Sequence, residues 1–234
     1  MAYSFDSVIR YSEVDSDGKL TWIKLLDYFQ DASVFHSEYL DLGVRFLGER
    51  HLAWVLNSWQ ICVNRMPKLC EEVTITTIPY EIRGFFGSRN FKMETKSGEL
   101  LAYANSFWTL IDTLTNRPAK VLPEMSKYDL HERMEMDYCG RKLKVSESLD
   151  MLAEIPVTRQ LIDTNGHVNN GRYVEIALSF LPEGEHVREL RAEYKMQARE
   201  GDILYPGIAI EEDRTDIVFS DSDKKPYATI QFLR

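Results

Sequence analysis

The stretch that decides the fold is Asp163-Thr164-Asn165-Gly166-His167-Val168-Asn169-Asn170, because the earlier stretch Asp15-Ser16-Asp17-Gly18-Lys19-Leu20 echoes it. In both stretches the glycine follows the opening aspartate at the same distance along the chain, which two unrelated turns would rarely share. Each stretch is also followed by apolar residues that recur at the spacing of an amphipathic helix. The chain is therefore predicted to contain two copies of one structural unit.

The two copies differ at the positions where chemistry would lie. His167 of the second copy corresponds to Lys19 of the first, and Asn165 corresponds to Asp17. Because a turn does not need an imidazole, this difference favours a functional site in the second copy. The first copy is then expected to serve a different use.

Outward from these turns, each copy has the pattern of one helix followed by an antiparallel meander. In the first copy we predict a strand at 8–14, a helix from 20 to about 42, and strands at 54–63, 72–79, 87–94 and 100–112. In the second we predict a strand at 155–161, a helix at 169–180, and strands at 187–198, 203–211, 216–219 and 227–232. These patterns predict the α+β class. The expected division is a domain at 1–114, a connector at 115–150 and a domain at 151–234.

Composition limits the functional classes. A chain of 234 residues with 44% hydrophobic residues can bury a packed core. No run is apolar enough to cross a bilayer, and the first ten residues lack the basic start and apolar middle of a secretory signal. We therefore expect a cytoplasmic protein that does not enter a membrane.

Charge and cysteine content narrow the classes further. A net charge of -9 argues against a nucleic-acid binder, since neutralising phosphates needs clustered Lys and Arg. The cysteines at 62, 70 and 139 form no CxxC pair and have no histidine at metal-ligand spacing. We expect neither a disulfide nor a metal site, and no bound cofactor.

Several motifs outside the two turns carry a resemblance to a known family. They are Trp54-Val55-Leu56 with Pro67, Gly84-Phe85-Phe86 with Arg89-Asn90-Phe91, Trp108-Thr109-Leu110-Ile111-Asp112, and Glu193-Tyr194-Lys195, beside the second turn with Tyr173. Together they cover nearly the whole chain and resemble the acyl-ACP thioesterases. The resemblance implies a double hotdog, in which two antiparallel sheets each wrap a long helix and the halves pair as a pseudo-dimer.

The resemblance also implies an activity and a partner. Enzymes of this family hydrolyse fatty acyl-ACP to free fatty acid and acyl carrier protein, which terminates fatty acid synthesis. It implies acyl-chain binding by 1–114 and catalysis by 151–234. The family's D-x-N-x-H pattern falls on Asp163, Asn165 and His167. Plant members carry a Glu and a Cys after the E-Y-[KR] signature, whereas this chain has Gln197 and Ala198.

The chemistry of a thioester hydrolase also fits these residues on general grounds. Hydrolysis needs a nucleophile or activated water and a donor for the developing oxyanion. Asp163, helped by His167, can act as nucleophile or as the base for a water. Asn165 can orient that water or hold the carbonyl, and backbone N–H groups at 167–169 can bind the oxyanion. Gln197 can only orient.

Simpler interpretations compete with these assignments. Asp163 and Asn165 can merely shape a turn and cap a helix, for which these residue types are common. In the first copy, Asp15 and Asp17 are a rival catalytic pair, although Lys19 is expected to pair with one of them and hold it as an inert charge.

Substrate and partner residues are predicted from residue type alone. An apolar acyl site is assigned to Trp22, Leu26, Trp54, Phe85, Phe86 and Trp108, which suit an acyl chain as a set, although a core position is the favoured interpretation for any single one. The densest cations for an acidic carrier protein are Arg141, Lys142, Lys144, Arg188, Arg191 and Lys195.

Three other functions stay open at this point. They are an acyl-CoA thioesterase, a hotdog dehydratase, and a non-catalytic acyl-carrier binding module in which Gln197 and Ala198 record lost activity. A monomer and a homodimer are both compatible with the sequence.

Overall fold

The computed structural model describes residues 2–163, 166–182 and 184–234, which fold as two compact units. The first unit consists of the residues up to Asn57 together with Ile61–Tyr138, and the second of Ser58–Gln60 and Cys139–Arg234. Among the helices within these described ranges, none is long and apolar enough to cross a membrane.

The first unit packs one long helix on an antiparallel sheet. Helix α1 is Trp22–Tyr39 and the short α2 is Val44–Gly48. The strands are β1 Tyr3–Val8, β2 Leu52–Val63, β3 Glu72–Arg83, β4 Phe86–Thr95, β5 Leu100–Asp112 and β6 Arg117–Pro118. They are hydrogen-bonded in the order β1-β3-β4-β5-β2, and β6 pairs with β5.

The apolar face of α1 determines which side of this sheet is the core. The helix begins after Thr21, whose hydroxyl accepts the N–H of Lys24 at 3.4 Å as an N-cap. On the buried face of α1, the ring of Phe29 lies 5.4 Å from that of Phe91 on β4. Because strand side chains alternate, Arg89 lies on the same helix-facing side of β4 as Phe91.

The opposite side of β4 is covered by the chain that follows the sheet. Asn90 is fully buried there. Its side-chain oxygen accepts the N–H of Met134 at 3.1 Å and the hydroxyl of Tyr138 at 3.0 Å. Residues 134–138 are thereby fixed to the first unit.

The second unit has the same plan with a shorter helix. Helix α3 is Asn170–Leu178. The strands are β7 Asp150–Met151, β8 Ile155–Pro156, β9 Glu189–Tyr194, β10 Ile203–Ile210, β11 Arg214–Ser220 and β12 Pro226–Leu233. Their order is β9-β12-β11-β10-β7, and β8 pairs with β10. Tyr173 of α3 packs on Phe219 of β11 with ring centroids 5.5 Å apart.

One buried carboxylate ties the second sheet to the chain before it. Asp216 is fully buried and accepts from Arg214 at 3.1 Å, from Gln231 at 2.8 Å and from the N–H of Ser146 at 2.9 Å. Each of these bonds compensates part of the cost of burying the charge.

The α+β class with antiparallel sheets is confirmed, but three predicted strands are wrong in extent. The strand at 8–14 is in fact β1 followed by a 3₁₀ turn at Tyr11–Glu13. The strand at 155–161 is β8 followed by a 3₁₀ turn at Arg159–Leu161. The strand at 187–198 ends at Tyr194. A short alternation of apolar and polar residues fits both an extended strand and a 3₁₀ turn. In the first two segments the backbone forms the local hydrogen bonds of a 3₁₀ turn.

Candidate functional site

A tight turn in the second unit carries the predicted catalytic residues. The N–H of Asp163 donates to the carbonyl of His167 at 2.9 Å, and the N–H of Gly166 donates to the carbonyl of Asp163 at 3.1 Å. Ile162 and Val168 form a single β-bridge beneath the turn. Gly166 has φ +79°, a left-handed conformation that glycine adopts without steric cost.

The first unit contains the same turn. The N–H of Asp15 donates to the carbonyl of Lys19 at 2.8 Å, and the N–H of Gly18 to the carbonyl of Asp15 at 3.0 Å. Gly18 has φ +71°, and a β-bridge again joins the flanking residues Val14 and Leu20. The predicted internal repeat is therefore confirmed at the level of individual hydrogen bonds.

A neighbouring segment supports each turn in the same way. In the second unit, the N–H of Val168 donates to the carbonyl of Ala198 at 2.9 Å. In the first, the N–H of Leu20 donates to the carbonyl of Pro67 at 2.9 Å. The backbone hydrogen bonds of the described residues are thus common to both copies, while the side chains at 19 and 167 differ.

The helix cap that follows the second turn is Asn169. Its side-chain oxygen accepts the N–H of Gly171 at 2.8 Å. Asp163 does not cap α3, because its Oδ1 lies 3.5 Å from the backbone nitrogen of His167 instead. Asn165, predicted to orient a water, lies outside the described residues.

The electrostatic surroundings of His167 favour its neutral form. Burial lowers the pKa of the imidazole, and the positive charge of Arg199 lowers it further, while the negative charge of Asp163 opposes them. A neutral imidazole can accept a proton near neutral pH. Asp163 is partly buried, and its charge is close enough to act on His167.

The N–H groups predicted as oxyanion donors are mostly occupied, which corrects that expectation. Those of Val168 and Asn169 donate to backbone carbonyls at 2.9 and 3.0 Å. Among the described residues, the N–H of Asn170 at the first position of α3 has no backbone or side-chain acceptor. The hydroxyl of Tyr194 donates to the carbonyl of Asn170 at 3.1 Å and anchors this end of the helix.

Gln197 lies beyond the end of β9 rather than on a strand. It is exposed, and its side chain makes no hydrogen bond to another described residue. The adjacent Ala198 is fully buried and supports the turn through its carbonyl. The role of Gln197 as an orienting residue stays a prediction.

The rival pair in the first unit is engaged in other contacts. Oδ1 of Asp15 accepts the backbone N–H groups of Asp17 at 2.9 Å and Lys19 at 3.0 Å. The ammonium of Lys19 lies 3.6 Å from the carboxylate of Asp17, so the predicted pairing is confirmed. Both side chains of that pair are largely exposed, and the pair contributes little to stability.

The predicted acyl-site residues fall into separate groups. Trp108 is paired with Gly87 across β4 and β5, on the helix-facing side of the sheet. The ring of Trp54 comes within 3.2 Å of where a Cβ of Gly87 would stand. Trp22 and the buried Leu26 share one face of α1.

The two phenylalanines lie elsewhere in the first unit. Phe86 is on the side of β4 opposite α1, with its ring 4.9 Å from that of Phe107. Phe85 is in the turn between β3 and β4, half-exposed, with its ring 4.4 Å from that of Phe86. These aromatic residues therefore do not line one continuous face with the tryptophans.

Two residues of the site were not found from the sequence. Arg199 follows Ala198 directly and acts on His167 through its charge, and Tyr194 holds the start of α3. The only signal in the sequence was the position of Tyr194 in the Glu193-Tyr194-Lys195 motif. Within the described ranges, no group of three or more His, Cys, Asp or Glu side chains is placed to hold a metal ion.

Comparison with known proteins extends over the whole chain. Residues 2–128 match the model of the acyl-ACP thioesterase N-terminal domain. A chloroplastic acyl-[acyl-carrier-protein] hydrolase of Cuphea viscosissima is 28% identical over 84% of this chain and 52% of its own length. A second such hydrolase of that plant is 25% identical over 93% of this chain and 60% of its own. The chain thus spans little more than half the length of these relatives.

Solved structures share the fold. The crystal structure of an acyl-ACP thioesterase from Bacteroides thetaiotaomicron superposes with a TM-score of 0.89, at 24% identity over 99% of this chain and 97% of that one. The 12:0-ACP thioesterase from Umbellularia californica gives a TM-score of 0.87 at 18% identity, over 99% of this chain and 96% of that one. These matches identify the fold as the double hotdog of such thioesterases. With more than half of its residues matched by the family model, the chain belongs to the acyl-ACP thioesterase family.

Proposed function

We propose that this protein hydrolyses fatty acyl-ACP, releasing a free fatty acid and acyl carrier protein. The relatives named above are hydrolases of this kind, and the double hotdog is compatible with it. The proposal assigns the chemistry to residues 151–234 and the acyl chain to residues 1–114.

One observation carries the proposal. The turns of the two units have the same backbone hydrogen bonds, yet the second carries His167 where the first carries Lys19. Since the first turn forms without an imidazole, local folding does not account for His167. A half-buried neutral imidazole beside a carboxylate is instead a suitable pair for proton transfer.

The reaction needs only this pair and water. Asp163, with His167 beside it, takes a proton from a water whose oxygen adds to the thioester carbonyl, or attacks that carbonyl itself. The C–S bond then breaks, and the pantetheine sulfur leaves as a thiolate that regains a proton. If Asp163 attacks directly, water hydrolyses the resulting acyl–aspartyl anhydride, which releases the fatty acid and restores the carboxylate. The N–H of Asn170 has no acceptor among the described residues. We therefore assign it as the donor to the developing oxyanion.

Recognition of the carrier protein is assigned to a subset of the predicted cations. Arg191 and Lys195 already lie 2.6 and 3.3 Å from the carboxylates of Glu189 and Glu193. Lys142 is exposed and forms no ion pair with another described residue. Such exposed cations steer an acidic partner more than they add to its final affinity.

The deciding experiment compares matched thioesters on acyl carrier protein and on coenzyme A over a series of chain lengths. We expect release of free acid with a higher kcat/KM for the carrier-protein substrate. A higher kcat/KM for coenzyme A would assign the chain to acyl-CoA hydrolysis instead. Binding of acyl-ACP without release of acid would refute the proposal.

A charge reversal tests the partner separately from the chemistry. Lys142→Glu is expected to lower kcat/KM for acyl-ACP about tenfold at low salt and to leave the coenzyme A substrate unchanged. Lys120→Glu makes the same change of charge at an exposed position of the first unit and is the matched control. Equal losses for both variants would show a general charge effect and no docking surface at Lys142.

A further inference from the structure

An arginine is buried in the core of the first unit. Arg89 of β4 is 9% exposed and lies on the helix-facing side of the sheet. Among the described residues, no carboxylate lies within ion-pairing distance of its guanidinium. Burial disfavours the charged form and lowers the pKa of Arg89. The contrast is Asp216 of the second unit, which is buried but fully hydrogen-bonded.

The groups around Arg89 leave most of its donors unused. Its Nη1 lies 3.4 Å from the hydroxyl of Thr77, which is a long hydrogen bond. Its Cζ lies 5.0 Å from the centre of the Tyr128 ring. The Tyr128 hydroxyl donates to Ser37 at 2.8 Å, so this contact does not supply a negative charge. A guanidinium has five N–H donors, and the acceptors near it among the described residues are the hydroxyls of Thr77 and Tyr128, which satisfy few of them.

Two histidines beside Arg89 also have unused ring nitrogens. Nδ1 of His36 and Nε2 of His131 are buried without a hydrogen-bond partner among the described residues. His36, 2% exposed in the last turn of α1, packs edge-on against Tyr128 with ring centroids 5.4 Å apart. The N–H of His131 donates to the carbonyl of Pro79, which is the residue paired with Arg89 across β3 and β4.

We infer that Arg89, His36 and His131 form a binding site for a carboxylate in the core of the first unit. A carboxylate carries a negative charge opposite to that of the buried guanidinium, and it accepts two parallel bonds from the guanidinium fork. The orphan ring nitrogens supply further donors. The aromatic side chains of Phe29 and Phe91 on the same side of β4 suit an alkyl chain attached to that carboxylate better than a hydrated phosphate.

The carboxylate can come from two sources. It is either a free carboxylate anion or the distal carboxylate of an acyl chain that is held as a thioester at its other end. The second source rests on the proposed thioesterase function, and the first does not. Two experimental arms therefore separate them.

The first arm measures binding without any thioester. Hexanoate is titrated into the purified protein against sodium chloride at equal ionic strength, and both Tm and the His36 imidazole signal in NMR are followed. We expect a saturable rise in Tm, and a rise of about one unit or more in the pKa of His36, because a bound anion favours the imidazolium. Absence of both responses at about 100 mM would overturn the site.

Variants attribute the response to Arg89. Arg89→Gln removes the charge and is expected to abolish the hexanoate response, whereas Arg83→Gln, at the exposed end of β3, keeps it. If Arg89→Gln does not fold, the change in the pKa of His36 on adding hexanoate to the parent protein decides whether the site exists. A response that survives in folded Arg89→Gln would also overturn the assignment.

The second arm compares two acyl-ACP substrates of equal chain length, one ending in a carboxylate and one in a methyl group. A distal-carboxylate site predicts at least a tenfold higher kcat/KM for the first substrate, lost in Arg89→Gln. If the two substrates have equal kcat/KM and hexanoate binds in the first arm, the site is assigned to a free carboxylate. No hydrolysis of either substrate would refute the proposed function and leave the first arm unaffected.

Discussion

Asp163 and His167 are fixed to each other through the backbone, because the N–H of Asp163 donates to the carbonyl of His167 at 2.9 Å. The corresponding bond between Asp15 and Lys19 measures 2.8 Å. The same frame therefore holds two different pairs of side chains. This duplication gives each proposed catalytic substitution a control of equal geometry within the same molecule.

The first prediction concerns the carboxylate. Asp163→Asn keeps the size of the side chain and one acceptor oxygen but removes the proposed base or nucleophile. We expect kcat for acyl-ACP hydrolysis to fall by about 10² or more, with little change in Tm. The control Asp15→Asn is expected to keep its activity, measured in the same turnover assay. Loss of activity in Asp15→Asn alone would move the site to the first unit.

The second prediction concerns pH. The pKa of His167 is lowered by burial and by the charge of Arg199, so the imidazole should lose its proton below its usual pKa of 6.5. Arg199→Ala removes a positive charge and is expected to raise that pKa. The acid limb of the kcat/KM profile should therefore move to higher pH, and added salt should reduce the difference between variant and parent. An unchanged limb would show that His167 does not control it.

The third prediction concerns the glycine of each turn. Gly166 and Gly18 have φ +79° and +71°, and apart from their chain neighbours no atom of the described residues lies within 4 Å of where a Cβ would stand. Gly166→Ala and Gly18→Ala should each cost about 1 kcal/mol of unfolding free energy through backbone strain alone. Only Gly166→Ala should also lower turnover, because it disturbs the frame of His167. Equal turnover in the two variants would contradict the assignment.

The fourth prediction concerns stability at acid pH. Burial, and then the positive charge of Arg89, lower the pKa of His36 from 6.5 to about 4. A histidine with a depressed folded-state pKa stabilises the fold fully above pH 6.5, and that contribution is lost as the pH falls towards 4. We expect a loss of about 3 kcal/mol across this window in urea titrations without carboxylate buffers.

Substitution of His36 isolates this effect. His36→Phe keeps an aromatic ring between Tyr3 and Tyr128, which contact His36 in the structure, and should flatten the pH dependence. His186→Gln, at an exposed histidine, should leave it unchanged. The same slope in His36→Phe as in the parent would rule out His36 as its source.

Much of the fold was predictable from particular residues. Strand β5 was predicted with its observed bounds, because its apolar residues alternate and turn residues flank it. The strands ahead of the two helices were not, since a few apolar residues there fit both a strand and a 3₁₀ turn. Gln197 was expected on a strand, but β9 ends at Tyr194 and the following chain supports the turn between Asp163 and His167 instead.

The sequence by itself determined the internal repeat, the α+β class and the family, because turn glycines, hydrophobic periodicity and motifs are local properties of the chain. Only the tertiary structure decided which charges are compensated. Asp216 and Arg89 are both charged residues within strands, and Arg214, which pairs with Asp216, is its near neighbour in sequence. The remaining partners, Gln231 and Ser146 for Asp216 and Thr77 for Arg89, lie far away in the sequence, and among the described residues they leave Arg89 without an ion pair.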